Sequence, residues 1–328
     1  MVNKIHMLTE PYRFEVSDTE LPEPSIGYVT INYLFCGICE GDYSRYIGRR
    51  KDYPISLGHE FVAKVVNPGT SDKMKKGNIV ISDLNYRCGS CSSCKRGASH
   101  LCINNNLGLF SNRGFAQYAN INEDYLFRIE PLRYLPSATF IEPLSCVIHA
   151  CEGLEINESS SILIVGAGSI GTMFAFCLKY RYNCSKVEIT DIIPEREIKV
   201  NNCFGTRIYN GYSHEYDIII ECSNSSDGLK FVLNNIGNGG CICVMSHLYG
   251  LDTSFVYEAL CQKEIHATFP LRNGNTSNMI AAIELISRHW APKFDSLIRV
   301  YTDINRAFSE KKKTVYNKWI NQQIEYNA

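Results

Sequence analysis

Two different patterns of apolar and polar positions divide the chain near residue 147. Before that point, short apolar runs alternate with turn residues, as at 28–35, 59–67, 77–84 and 115–122. Short runs rich in Val, Ile, Tyr and Phe and bounded by turn residues predict strands. The first part of the chain is therefore predicted to be a compact, mainly β domain.

From about residue 160 the pattern changes, because buried-strand runs now alternate with helical stretches. The predicted strands are 161–166, 186–191, 215–222, 240–247 and 264–270. Alternation at this spacing predicts a doubly wound parallel sheet with crossover helices, the α/β class. Two further strands, predicted at 297–304 and 313–320 around a short helix, are expected to return to the first domain. We therefore predict domains at 1–147 and 148–275, with a C-terminal return at 276–328.

Length and composition favour an ordinary two-domain protein. The chain has 328 residues, 45% of them hydrophobic and 20% charged, with a formal net charge of -1. This balance gives no electrostatic reason to expect nucleic acid or an anionic membrane as a partner. The sequence shows no signal-peptide pattern and no apolar run of the roughly 18 residues that a membrane span needs. A cytoplasmic protein is the resulting expectation.

The 15 cysteines do not form the pattern of a secreted disulfide framework, which belongs to short chains with paired cysteines. Most lie in apolar stretches such as 241–245 and are predicted to be small buried hydrophobes. Four are clustered within 88–102, separated by two, two and seven residues: Cys88, Cys91, Cys94 and Cys102. This spacing predicts a closed four-thiolate zinc site that fixes a loop without a core of its own. A nucleic-acid-binding zinc module remains an alternative, but it would normally have two separated ligand pairs and basic charge.

A glycine pattern between a predicted strand and a predicted helix indicates a dinucleotide site. Gly166, Gly168 and Gly171 follow the strand, and Ile170 lies in the same loop. The first glycine permits a tight turn, the second lets the backbone approach a pyrophosphate, and the third lets helix and strand pack closely. A nucleotide-free α/β turn would give the same glycines, so the context carries the interpretation.

Cofactor preference depends on the end of the next strand. Asp191 stands there, 20 residues after Gly171. Its carboxylate would accept hydrogen bonds from the ribose hydroxyls and repel a 2′-phosphate, which favours NAD over NADP. Arg196, five residues further on, keeps NADP open as an alternative.

A second set of residues has the chemistry of a catalytic zinc site. Cys39 offers a thiolate, His59 an imidazole, and Glu60 and Glu142 offer carboxylates. A thiolate, an imidazole and a carboxylate with one open position describe catalytic zinc. Asp42 would accept the other ring N–H of His59 and fix its tautomer. Taken singly, each of these residues also fits a structural role in a core.

These motifs, in this order, resemble the zinc-containing medium-chain dehydrogenase/reductase family over nearly the whole chain. The likeness includes "GIC-x-x-D" with Cys39, "GHEF" with His59, the four-cysteine lobe, "EPL" with Glu142 and the glycine loop. It implies a GroES-like β domain followed by a Rossmann domain and a C-terminal return. It also implies hydride transfer between a secondary alcohol and a nicotinamide cofactor, one catalytic and one structural zinc, and a homodimer or homotetramer.

Within that family, "DYPISLGHEF" and "FIEPLSCVIHA" resemble polyol dehydrogenases, whose members carry a glutamate such as Glu142 where ethanol-type enzymes have a cysteine. The segments "CEGDYSRYIGRR" and "KTVYNKWI" are similar to ribitol-5-phosphate and galactitol-1-phosphate dehydrogenases. The four-cysteine lobe and Asp191 depart from those ribulose-phosphate reductases that lack the lobe and favour NADPH. Gly41 also departs from many family members, which place a Ser or Thr proton relay there. Water, Glu60, Ser44 or a substrate hydroxyl would have to take that role.

The expected substrate is therefore a small polyol or a sugar phosphate. Arg45 and Arg272 are the candidates for holding a phosphate, because guanidinium binds phosphate in a bidentate manner. The basic run 49–51 is predicted to be a solvated loop. Competing hypotheses are a threonine-type or simple alcohol dehydrogenase, and a catalytically idle family member that binds nucleotide.

Overall fold

The computed structural model describes residues 1–83, 85, 87–104, 113–130, 132–211, 215–247 and 256–311, and the backbone of 316–320. The chain forms two compact units. The β unit comprises 1–142 with 274–328, and the α/β unit comprises 143–273. Among the described residues, no helix is long and apolar enough to cross a membrane.

The β unit contains ten strands within the described residues: β1 Val2–Glu10, β2 Arg13–Glu20, β3 Tyr28–Gly37, β4 Ile55–Ser56, β5 Glu60–Asn67, β6 Ile79–Ser82, β7 Tyr118–Asn122, β8 Leu126–Ile129, β15 Ile298–Tyr301 and β16 Tyr316–Ile320. The helices described in this unit are α1 Glu40–Tyr46, α2 Ser92–Lys95, α8 Thr276–His289 and α9 Ile304–Ser309. A further helix, α3 Ile141–Glu152, begins in this unit and continues into the next.

One sheet of the β unit has the order β15-β16-β3-β5-β6-β8, and β7 also pairs with β3. The late strand β16 pairs antiparallel with β3, which joins residues from the end of the described chain to the first sheet. Leu84 and residues 313–315, which belong to two of the predicted strands, lie outside the described residues. A separate sheet, β2-β1-β4, was not predicted, because charged and apolar residues are mixed in the β1–β2 hairpin.

The core of the β unit is built from the inward faces of these strands. Ile31, Tyr33 and Val65 are each at most 1% exposed, and Phe115 and Phe308 are fully buried beside them. Apolar side chains alternate with polar ones along strands that have one solvated face. This core supports the ends of β3 and β5, from which the candidate metal ligands extend.

The α/β unit contains six described strands: β9 Ile162–Val165, β10 Val187–Thr190, β11 Arg207–Ile208, β12 Tyr216–Glu221, β13 Ile236–Val244 and β14 His266–Thr268. Its further helices are α4 Ser169–Tyr180, α5 Pro194–Phe204, α6 Ser226–Asn235 and α7 Val256–Gln262. The order β11-β10-β9-β12-β13-β14, parallel throughout, is the 3-2-1-4-5-6 order of dinucleotide-binding sheets. The predicted fold class, a GroES-like β domain with a Rossmann domain, is confirmed, although the two-residue strand β11 was missed.

Candidate active site

The ends of two paired strands bring three candidate metal ligands together. Cys39 lies two residues after the end of β3 and is the N-cap of α1, while His59 precedes β5 and Glu60 is its first residue. Gly37 of β3 lies opposite Glu60 in the antiparallel register, so the two strand ends meet. One donor atom from each of Cys39, His59 and Glu60 lies within 4.8 Å of the others.

The approach to His59 requires a glycine. Gly58 has a φ of +96°, and a Cβ added there would lie 2.9 Å from both Cys36 Sγ and the Phe115 backbone nitrogen. A side chain at this position would therefore clash with two fixed neighbours in a left-handed backbone conformation. Close packing around Gly58 therefore explains why the "GHEF" motif begins with glycine.

Buried charge surrounds the His59 ring. Asp42 is 2% exposed, and its Oδ1 lies 3.7 Å from His59 Nδ1, an electrostatic contact longer than a hydrogen bond. Its other oxygen, Oδ2, is buried without a hydrogen-bond partner in the described part of the chain. Burial alone lowers the pKa of His59, but Asp42 and Cys39 outweigh it and hold that pKa well above its ordinary value. Burial raises the pKa of the Cys39 thiol, against the opposing effect of His59.

Glu142 stands in the first turn of α3. It is not among the three residues whose donor atoms lie within 4.8 Å, but its charge contributes to the raised pKa of His59. The donor set of thiolate, imidazole and carboxylate fits zinc.

The four-cysteine lobe forms a second cluster of donor atoms, again within 4.8 Å of one another. Backbone N–H groups of Cys91 and Cys94 donate to the sulfurs of Cys88 and Cys91, at 3.4 and 3.5 Å, and Cys88 N–H donates to Cys102 Sγ at 3.5 Å. Hydrogen bonds, first among them that from Ser90, lower the pKa of Cys88 to about 5. Four convergent thiols with N–H···S bonds fit a closed tetrahedral zinc site.

The surroundings of Gly168 and Gly171 agree with the role that the sequence predicts for each of them. A Cβ on Gly171 would lie 1.9 Å from the Gly166 carbonyl oxygen, so this glycine allows the helix to pack on the loop. No atom of the described residues lies within 4 Å of a Cβ built on Gly168, which caps the 12-residue helix α4. That open side faces away from protein atoms and can admit a ligand. Ile170 lies half-buried in the first turn of α4.

Asp191 lies at the end of β10, beside the glycine loop. Its Oδ2 accepts the N–H of Ala167 at 2.7 Å, and its Oδ1 accepts the N–H of Ile193 at 2.8 Å. Arg196 Nη1 lies 3.8 Å from the same Oδ2. Asp191 and Arg196, the two residues predicted to affect the choice between NAD and NADP, are therefore neighbours.

The two candidate phosphate-binding arginines have different surroundings. Arg45 Nε donates to both oxygens of Asp52, at 3.1 and 3.0 Å, and Nη1 donates to the Gly41 carbonyl at 3.3 Å. It therefore joins α1 to the loop that follows. Arg272 lies just beyond β14 with a φ of +61°, an uncommon conformation for a residue with a side chain.

The sequence analysis missed one buried carboxylate near the glycine loop. Glu221 ends β12 and is fully buried. The signal in the sequence was a glutamate within the otherwise apolar run "IIIEC", residues 218–222. A charged side chain in such a run is uncommon and has a structural or functional reason.

Comparison with known proteins agrees with this geometry. Residues 25–131 match the alcohol dehydrogenase GroES-like domain. The chain is 27% identical to L-threonine 3-dehydrogenase of Saccharopolyspora erythraea, covering 69% of this chain and 72% of that protein. It is also 27% identical to sorbitol dehydrogenase of Bacillus subtilis, covering 70% and 72%. The crystal structure of Escherichia coli galactitol-1-phosphate dehydrogenase superposes with a TM-score of 0.84 at 20% identity, covering 97% of this chain and 100% of that one.

Fold and site together define an NAD(P)-dependent oxidoreductase that acts on alcohol groups. Residues 25–131 form an alcohol dehydrogenase GroES-like domain, and the chain is similar to the zinc-binding alcohol and polyol dehydrogenases that its motifs resemble.

Proposed function

We propose that the chain interconverts the secondary alcohol of a polyol or polyol phosphate and the corresponding ketose, with NAD as the preferred cofactor. The observation that carries this proposal is the convergence of Cys39, His59 and Glu60 within 4.8 Å, with buried Asp42 beside the imidazole. The similarity to sorbitol dehydrogenase supports a polyol. The equal identity to L-threonine 3-dehydrogenase keeps a threonine-type reaction as the second candidate.

Cys39, His59 and Glu142 would hold the catalytic zinc, with Glu60 as an additional ligand, and the four-cysteine lobe would hold a structural zinc. When bound, the catalytic zinc supplies a Lewis acid that lowers the pKa of the substrate hydroxyl. Asp42 keeps the His59 ring oriented towards the metal position. There is space beside Gly41 for a group that accepts the proton of the substrate hydroxyl. Among the described residues, a Cβ built on Gly41 would lie within 4 Å of Cys39 Sγ alone, at 3.9 Å. We propose that water or a substrate hydroxyl occupies this space and removes the proton.

For the cofactor, the N-terminus of α4 and the uncovered side of Gly168 would receive the pyrophosphate. Asp191 would accept the ribose hydroxyls. Arg196, 3.8 Å from that carboxylate, reduces the repulsion that a 2′-phosphate would meet. Comparison of kcat/KM for NAD and NADP tests this preference, and a higher value with NADP would contradict it.

The substrate test compares NADH formation from ribitol 5-phosphate, ribitol and L-threonine at equal concentrations, with zinc-loaded protein. The proposal expects turnover of ribitol or its phosphate and little from threonine. A preference for the phosphate would make Arg45 and Arg272 the next residues to change. A preference for threonine would favour the second candidate.

Two variants separate an active enzyme from an idle family member. Cys39→Ala and His59→Ala should abolish turnover and leave NADH binding, measured by fluorescence, nearly unchanged. NADH binding by the unaltered chain without turnover of any alcohol in a broad panel would support an idle member. Loss of NADH binding in both variants would contradict the assigned roles.

We further propose that the enzyme works in the cytoplasm as a homodimer or homotetramer. The edge position of β14 in its sheet supports this, because an edge strand can extend the sheet across a two-fold axis. Light scattering of the purified chain tests it, and a monomeric mass would contradict it.

A further inference from the structure

Glu221 is a fully buried carboxylate that the proposed chemistry does not use. Its Oε1 accepts three hydrogen bonds, from Ser223 N–H at 2.7 Å, Ser223 Oγ at 2.6 Å and Asn224 N–H at 3.2 Å. Its Oε2 is buried and has no hydrogen-bond partner among the described residues. Burial of a carboxylate is unfavourable unless it is paired or hydrogen-bonded. The three bonds offset this cost, and they also fix the backbone that donates two of them.

That backbone is the turn at 222–225, between β12 and α6. Asn224 has a φ of +52°, in the left-handed region that side chains rarely adopt. Its N–H is shared between Glu221 Oε1 and Ser246 Oγ, at 3.2 and 2.9 Å. Ser225 caps α6 by accepting the N–H of Gly228 at 2.9 Å. Glu221 therefore holds Ser223 and the left-handed Asn224, the two residues before the Ser225 cap, from one buried position.

The same turn packs against the glycine loop. A Cβ built on Gly166 would lie 2.8 Å from the Cys222 carbonyl carbon and 3.0 Å from the Ser223 nitrogen. Cys222 N–H also donates to the Val165 carbonyl at 2.8 Å. The position of Gly166 thus depends directly on the position of the turn.

This contact lies where a dinucleotide is bound in sheets of this order. β12 neighbours β9 at the point where the strand order reverses. Ligands bind outside the carboxyl ends of the strands at such a switch point. A small displacement of the turn would therefore move the backbone that receives the pyrophosphate.

We infer that Glu221 is a positioning residue for the nicotinamide nucleotide: it holds the turn at 222–225 against Gly166 and thereby fixes the glycine loop for binding. The inference rests on the dinucleotide site of the proposed function. It assigns to Glu221 an effect on cofactor affinity, with no role at the metal site.

The test is the Kd of NADH, measured by nicotinamide fluorescence, for the full chain and two variants. Glu221→Ala removes all three hydrogen bonds, and we expect its Kd to rise by about tenfold or more, which corresponds to roughly 1.4 kcal/mol. Glu221→Gln keeps an acceptor oxygen, and we expect its Kd to stay within about threefold of the original. The kcat of both at saturating cofactor should change by less than about twofold.

Glu188→Gln is the matched control. Glu188 lies on β10 and accepts the hydroxyl of Tyr216 at 2.7 Å, in the same unit but near the amino end of β12. The Glu188→Gln substitution should leave the Kd of NADH unchanged. If Glu221→Ala fails to fold, Ser223→Ala removes the Oγ bond to Glu221 and the 3.2 Å contact with Ser225 Oγ, but keeps the two backbone N–H bonds to Glu221. A Kd raised by about twofold to threefold with an unchanged Tm would support the inference.

A fall in Tm with an unchanged Kd in either the Glu221→Ala or the Ser223→Ala chain would overturn the inference, because it would show a purely structural role. An equal rise in Kd in the alanine and glutamine variants would also overturn it. If the unaltered chain does not bind NADH, the proposed function fails, which this experiment shows separately.

Discussion

Asp42 is the buried carboxylate that we propose to orient the His59 ring at the candidate metal site. It is buried, lies 3.7 Å from Nδ1 and keeps one oxygen without a hydrogen-bond partner in the described chain. A carboxylate in this position orients a metal-binding imidazole and makes it a better ligand. The proposed role of Asp42 is to orient His59, whereas Cys39 and His59 would provide donor atoms to the metal.

Asp42→Asn should therefore lower zinc affinity or kcat by about 10- to 100-fold, because the neutral amide no longer stabilises the ligand orientation. Competition with a chelator and steady-state kinetics measure the two effects. Asp52→Asn is the control, since Asp52 pairs with Arg45, and it should keep both values. Unchanged zinc affinity and kcat in the Asp42 variant would contradict the assigned role.

Two glycines of the same loop should respond differently to a methyl group. Gly171→Ala places a Cβ 1.9 Å from the Gly166 oxygen and should lower Tm, because the helix can no longer pack on the loop. In Gly168→Ala the added Cβ has no atom of the described residues within 4 Å, so the Tm should not change. The methyl group should weaken NADH binding, because it obstructs the pyrophosphate. Thermal melting and NADH fluorescence measure this contrast, and a normal Kd in the Gly168 variant would contradict it.

The sequence alone predicts Cys39, His59 and the glycines as site residues, because local motifs and spacing carry their chemistry. It could not identify Glu221, whose meaning comes from a contact between the end of β12 and a loop far earlier in the chain. Short strands were missed for a related reason. The strand β11 has only two residues, both exposed, so only pairing with β10 defines it.

At the scale of elements, the fold of the four-cysteine lobe at 88–102 is expected to depend on metal binding by its four sulfurs. Its helix α2 has four residues, too few to be stable alone. Metal binding is therefore expected to supply the folding free energy of this segment. The seven-residue helix α1 differs, because Tyr43 and Tyr46 pack in the core of the β unit.

Cys94→Ser should reduce the zinc content from two ions per chain to one and lower Tm, because three thiolates bind zinc more weakly than four. Metal analysis and thermal melting provide the measurements. The control is Cys184→Ser, since this half-buried thiol lies outside both clusters and contacts the Asn157 carbonyl. Two zinc ions retained by the Cys94 variant would show that the lobe is not a metal site.

At the scale of the whole molecule, each unit has a core of its own. Leu163, Ile219 and Val232 belong to the core of the α/β unit, whereas the core of the β unit is formed by other residues. The glycine loop, the candidate dinucleotide site, lies in the α/β unit, and the zinc candidates Cys39 and His59 lie in the β unit. Ligands that bind one unit should therefore protect that unit first.

Hydrogen exchange with NADH, and separately with a zinc chelator, tests this separation. NADH at about 100 times its Kd should stabilise the unit that binds it by about 2.7 kcal/mol, because it binds only the folded form. Exchange should slow in β9, β10 and β12 and change little in β3 and β5. Chelation should instead speed exchange at 88–102, which contains four candidate ligands, and in α1, whose N-cap is the candidate ligand Cys39. Uniform slowing of both units by NADH would contradict the prediction, because it would mean that the two cores open in a single cooperative step.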